Sequence, residues 1–251
     1  MGWRKGHIAT VTGTLLKARL LLIIMSKGNS GLKIDFRRLE TLSKKKYAIT
    51  IPEVREFMSL TKKLFDTLMA QAKYNRRQTI RLTTKFRDAG RRSAPWKAFS
   101  AKIPGRPQDG RDGNRINRWL LPHNHKFYAD EKTATLVEIK YYYQALSMKN
   151  APKVSDEKLS KSLVWLLGHE VRPGAYLDPI QKCAIDLKGV FKDPKLINSG
   201  HLIPLDRGGR HEPKNTFLML KSSNSLQGNF TVDELIKLMD DIVTKHKKKI
   251  N

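Results

Sequence analysis

The run 196-LINSGHLIPLDRGGRHEPKNTFLMLKSSNSLQGNFTVDELIKLM-239 changes its periodicity four times in 44 residues, and few architectures accept that order. Leu196 to Ile203 is apolar enough for a short strand and stops at Pro204. The segment 204-PLDRGGRHEPKN-215 is loop, with Gly208 and Gly209 for a tight turn. A second strand, 216-TFLML-220, follows. Ser222 or Ser223 is placed to cap a short helix carrying Asn224. Thr231 and Glu234 form a T-x-x-E capping box before an apolar-periodic run, so a final helix begins there, with Lys245 and Lys247 to Lys249 at its negative end. The order is strand, loop, strand, helix. His201 lies on the first strand, Asn215 closes the loop and Asn224 sits on the helix. A histidine that only filled a core would need no such glycine-closed loop beside it.

These spacings resemble the HNH nuclease motif of the ββα-metal, or His-Me finger, group. The resemblance rests on His201, Pro204, Gly208-Gly209, Asn215, Leu218 and 224-NSLQGN-229, and covers roughly residues 176–240. It implies that His201 is a general base, that Asn224 is an oxygen ligand for Mg²⁺ (with Mn²⁺ as the alternative), and that Asn215 shapes the loop and orients the histidine. The chemistry suits those residue types. A neutral imidazole accepts a proton from water near pH 7. A hard divalent cation takes oxygen ligands and stabilises a crowded phosphate. Arg207 and Arg210 flank the loop and have the geometry to hold a phosphate bidentately; as solvated loop residues they would do nothing of the kind.

The chain departs from the family pattern twice. Many HNH nucleases have an Asp before the His, and here that position is Gly200. Asp178, Asp186, Asp206 and His211 are spare ligand candidates, each with a plain alternative as a surface or loop-shaping residue. Many HNH domains are braced by two Cys-x-x-Cys pairs, whereas this chain has only Cys183. No structural zinc is therefore expected, and no disulfide within the chain can form.

The rest of the chain is dominated by charge. Lys plus Arg total 49 against 23 Asp plus Glu, a formal +26. Residues 1–168 hold 35 basic and 13 acidic residues, so 35 − 13 = +22 lies there and only 14 − 10 = +4 in 169–251. Such an excess points to a polyanion, and double-stranded DNA is the expected partner. Residues 73–97 concentrate nine Lys or Arg against Asp88 alone, with Arg76, Arg77, Arg81, Arg91 and Arg92 as candidate phosphate contacts. The loop 101–119 is rich in Gly, Pro, Asp and Asn and remains basic. The segment 51–75 predicts a helix with Pro52 in its first turn and Val54, Phe57, Met58, Leu60, Leu64, Phe65, Leu68 and Met69 facing a core. The segment 133–148 fits strand or helix, and its 141-YYY-143 fits base stacking or, more ordinarily, a core. Residues 150–168 read as a turn and then a helix, with Ser155 as the N-cap.

The expected fold is α+β: a basic, mostly helical recognition region over 25–168 and a ββα-metal module over 169–251. Residues 1–24 are an extension in which 20-LLLII-24 is too short to span a membrane, which takes about 20 residues. The resemblance implies a type II restriction endonuclease acting as a homodimer, because one site per chain must be doubled to cut both strands. It also implies a cytoplasmic location in a prokaryote or for a phage-encoded protein, with no membrane partner. The alternatives are a nicking, homing or modification-dependent nuclease, a secreted toxin nuclease, and a basic nucleic-acid-binding protein on an inactive HNH scaffold.

Overall fold

The structure is a computed structural model and describes residues 34–93 and 115–247. The extension 1–24, most of the 101–119 loop, and Trp96 and Lys97 of the basic stretch lie outside the described residues. The described residues from Asp35 onward belong to one compact unit. Among the described residues no helix is long and apolar enough to cross a membrane.

The architecture is α+β. Helices α1 (Phe36–Lys44), α2 (Ile51–Gln71) and α3 (Arg76–Gly90) lead to a two-residue pairing of β1 (Arg92–Ser93) with β2 (Ile116–Asn117). Then come α4 (Glu131–Leu146), the short α5 (Glu157–Ser162) and α6 (Val164–Leu167), and α7 (Leu187–Lys192). The antiparallel hairpin of β3 (Ile197–His201) and β4 (Thr216–Leu220) runs into α8 (Lys221–Gln227) and α9 (Val232–Lys247). The expected strand, loop, strand, helix order is present in this last part.

Local chemistry sets the boundaries. In α2 the Thr50–Glu53 capping box and Pro52 fix the start. The expected core stripe is buried except at Leu60, and Thr61 joins it. The N-cap of α5 is Asp156, whose carboxylate accepts from Leu159 N, and not Ser155. A carboxylate one residue nearer the helix reaches the free N–H groups better. Neither Ser222 nor Ser223 caps α8, which starts at Lys221 and takes both serines inside it.

Helix α4 is the centre of the molecule. It packs against α2 and α3 on one side and β4 on the other, and every residue from Ala134 to Leu146 is buried. That explains its ambiguous periodicity, since a helix enclosed all round needs no polar face. The three tyrosines are core residues and do not face a cleft. Tyr142 meets Phe65 and Phe86 edge-on, each with ring centroids 5.2 Å apart. The polar residues of α4 fasten the hairpin to the helical layer. Gln144 Oε1 accepts from Leu218 N at 3.0 Å, and Tyr141 Oη and Ser199 Oγ share a hydrogen bond. Lys140 Nζ lies 3.3 Å from the Phe217 ring centre and donates to Pro213 O. Burial lowers the Lys140 pKa to about 7.

Candidate active site

His201 is the last residue of β3, paired with Thr216 of β4. Gln227, near the end of α8, locks this strand end. Its Nε2 donates to the carbonyls of His201 (2.9 Å), Leu202 (3.1 Å) and Phe230 (3.1 Å). The following loop is drawn tight by Asn215. Its Oδ1 accepts from Ile203 N at 2.8 Å, and its Nδ2 donates to Ile203 O and Arg210 O, both at 2.9 Å. Gly208 adopts φ +82°, and a Cβ at Gly209 would sit 2.0 Å from Ile203 O. Asn215 thus shapes the loop through the backbone of Ile203 and Arg210.

The ring is oriented by His211. His211 is fully enclosed, and its Nε2 lies 2.7 Å from Gly90 O at the end of α3. A carbonyl only accepts, so Nε2 of His211 carries the proton and its Nδ1 is an acceptor. That Nδ1 lies 3.2 Å from His201 Nε2, which must therefore be the donor. The remaining nitrogen of His201, Nδ1, is left with its lone pair. Both rings are neutral at pH 7. Burial and the nearby Arg118 charge lower the His201 pKa to about 4, and the same causes, together with His201 itself, hold His211 well below its ordinary value. His211, weighed from sequence as a spare ligand or a loop-shaping surface residue, is buried rather than on the surface.

Arg118 completes the anchor. Its guanidinium donates to Gly90 O (3.0 Å) and Ala89 O (3.1 Å), two C-terminal carbonyls of α3, and to Phe127 O (3.0 Å). Desolvation lowers its pKa to about 10, so it stays charged at neutral pH. Gly90 is itself wedged, since a Cβ there would lie 2.7 Å from Glu138 Cβ. Glu138 is held by Arg91.

His201 stands where two clefts meet. One, about 430 Å³, is lined by Ser199, Gly200, Asp206, Asn224, Gln227 and Asn229 among others. The other, about 610 Å³, is basic, with Arg81, Lys85, Arg92, Arg115 and Arg118 on its walls alongside Asp88. His201 and Asn224 are thus brought to one cleft, and Asn224 Oδ1 would lie 3.0 Å from a Cβ at Gly200. A side chain at 200 would also meet Met219 Sδ at 2.5 Å, so the family's aspartate has no room unless Met219 moves.

The candidate arginines divide. Arg81 and Arg92 line the basic cleft, with Arg92 3.6 Å from Asp88. Arg76 and Arg77 are exposed in the first turn of α3. Arg91 is committed to Glu138, and Arg207 to Glu234 at 2.7 Å. Arg210 lines a different cleft with His123, His125 and Glu212. Among the spare carboxylates, Asp186 caps α7. Asp178 is buried and accepts from Ile180 N, Gln181 N, Leu220 N and Ser223 Oγ. Only Asp206 reaches the cleft of His201 and Asn224, and it pairs with Lys126 at 2.8 Å.

Among the described residues no three His, Cys, Asp or Glu side chains cluster to hold a metal ion. The oxygens on the cleft, Asn224 Oδ1 and the Asp206 carboxylate, match a hard cation that keeps most of its sites for water and phosphate. Sequence reasoning passed over Arg118, which lay in a stretch read as loop. Gln227 stood inside the quoted 224–229 motif without a role assigned to it.

No family model matches the chain, and no curated protein matches it. A solved structure described as the crystal structure of a type II restriction endonuclease is similar over 53% of this chain and 62% of that one, so the chain spans less than two thirds of it, at 21% identity and a TM-score of 0.41. A likeness at that level is too slight to argue from, and the residues of the site carry the functional reading.

Proposed function

We propose that this chain is a divalent-metal-dependent DNA endonuclease with an HNH-type ββα-metal site, and that it cuts at specific sequences in the manner of a type II restriction enzyme. The observation that carries this reading is the His201–His211–Gly90 hydrogen-bond chain, which engages one nitrogen of a histidine that lines both the Asn224 cleft and a basic cleft.

Duplex DNA lies with its backbone along Arg81, Lys85, Arg92 and Arg115, so that one phosphate reaches His201. His201 Nδ1 takes a proton from a water molecule as the water oxygen attacks phosphorus. A new P–O bond forms, the bond to the 3′ oxygen breaks, and that oxygen leaves to take up a proton from solvent. His211 holds the base in one tautomer and Gln227 fixes the strand end beneath it. Asn224, with Asp206 beside it, would hold the metal, which supplies charge neutralisation at the phosphate when bound.

Gly200 favours a second reading, a DNA-binding protein that does not cut, since the family's carboxylate is missing there. Incubation of plasmid and phage DNAs with Mg²⁺ or Mn²⁺, with EDTA, and with His201→Ala separates the two. Discrete fragments that vanish with EDTA and in the variant are expected. Tight binding without cutting under every metal condition would leave the second reading standing.

A further inference from the structure

Ser199 stands two residues before His201 on β3, and both residues line the two clefts that meet there. Residues two apart on a strand share a face, about 6.6 Å from one another, so a single phosphate can lie against both. From the core, Tyr141 of α4 shares a hydrogen bond with Ser199 through Oη and Oγ. Tyr141 is fully buried, and its ring packs against Phe86 with centroids 6.3 Å apart. Which of the two hydroxyls donates decides what Ser199 has left to offer the clefts.

Burial of the phenol decides it. Desolvation raises the Tyr141 pKa, so its O–H keeps its proton throughout the neutral range. A buried O–H without an acceptor is costly, and among the described residues Ser199 Oγ is the partner that Tyr141 Oη has. Arg118, the charged group that acts on this phenol, carries only N–H donors and cannot accept from it. Tyr141 therefore donates and Ser199 accepts. A serine hydroxyl has one proton and two lone pairs, so the Ser199 proton is left over, and Ser199 opens onto the clefts. With one lone pair held by a packed tyrosine, that proton has few directions in which to turn. The clefts thus gain a hydrogen-bond donor that is set in place before any substrate arrives.

We infer that Ser199 donates its hydroxyl proton to a non-bridging oxygen of the phosphate that lies at His201, with Tyr141 as the residue that positions it. The inference rests on the nuclease reading for what happens to that phosphate, and binding in EDTA tests the contact without cleavage. In EDTA, Ser199→Ala should bind a short DNA duplex about tenfold more weakly than wild type. In single-turnover cleavage at saturating protein it should be slower by about 10²-fold. Ser199→Thr, which keeps the hydroxyl, should retain most of both. Ser199→Ala also strands the buried Tyr141 O–H, so its melting temperature should fall. Adding Tyr141→Phe removes both partners of that bond and should restore the melting temperature, but neither affinity nor rate. Recovery of affinity and rate along with stability would overturn the inference, because Ser199 would then serve only the core. So would wild-type affinity in Ser199→Ala. Weaker binding by Ser199→Ala, beside a wild-type protein that cuts with no metal, upholds the contact and overturns the nuclease reading alone.

Discussion

The two nitrogens of His201 face opposite kinds of surroundings. Behind Nε2 everything is committed: His211, the Gly90 carbonyl, Arg118 and the Arg91–Glu138 pair form a closed chain of partners. On its other side His201 lines two open clefts, one with Asn224 and Asp206 and one with Arg81, Lys85, Arg92 and Arg115 on its walls. The committed side fixes the ring's geometry and protonation, and the open side is where the proposed function brings substrate. A base needs both, because a ring that is free on either side is free to present the wrong nitrogen.

The widest difference between the sides appears on removing the ring itself. His201→Ala should lower the cleavage rate by about 10³-fold or more while leaving DNA affinity unchanged, as single-turnover kinetics and filter binding would report. The committed side is next. Arg91→Ala strands the Glu138 carboxylate, which is buried and already raised in pKa by desolvation, so the variant should lose about 3 kcal/mol in urea unfolding. His211→Ala should slow cleavage by about 10- to 100-fold, with His211→Gln recovering part of it, since an amide offers both a donor for Gly90 O and an acceptor for His201. Equal rates for the alanine and glutamine variants would mean that His211 only fills space.

Acid probes the same side. Both histidines have folded pKa values below the ordinary 6.5, so the unfolded chain binds more protons beneath that pH. Their contribution to stability is full above about pH 6.5 and is lost as pH falls toward about 4. Melting temperature across that window should drop, and His211→Gln should flatten the drop. The smallest effect belongs to the open side. Arg81→Ala with Arg92→Ala should lower the slope of log affinity against log salt by about two, one for each phosphate contact removed, with little change in rate once DNA is bound.

The sequence made α2, β3, β4 and α9 legible because in each the local periodicity and the caps agree with the final environment. It left α4 open between strand and helix because Glu138, Lys140 and Gln144 are polar residues that go inside with partners far away in sequence. The site was half legible for the same reason. His201, Asn215 and Asn224 announce themselves by spacing within one short segment. His211 looked like a loop residue, and Arg118 like part of a linker, because what defines them is the Gly90 carbonyl, 121 and 28 residues away.

That carbonyl has a consequence for how such a protein can be rebuilt. A single oxygen atom ties the end of the most basic helix to Arg118 and, through His211, to the ring of His201, at a position where a side chain would strike Glu138. The helical part and the hairpin that carries His201 are therefore not interchangeable cassettes. A chimera that replaces residues 35–93 must bring its own wedged glycine and present its carbonyl to Arg118 and His211, or His201 will lose the partner that orients it.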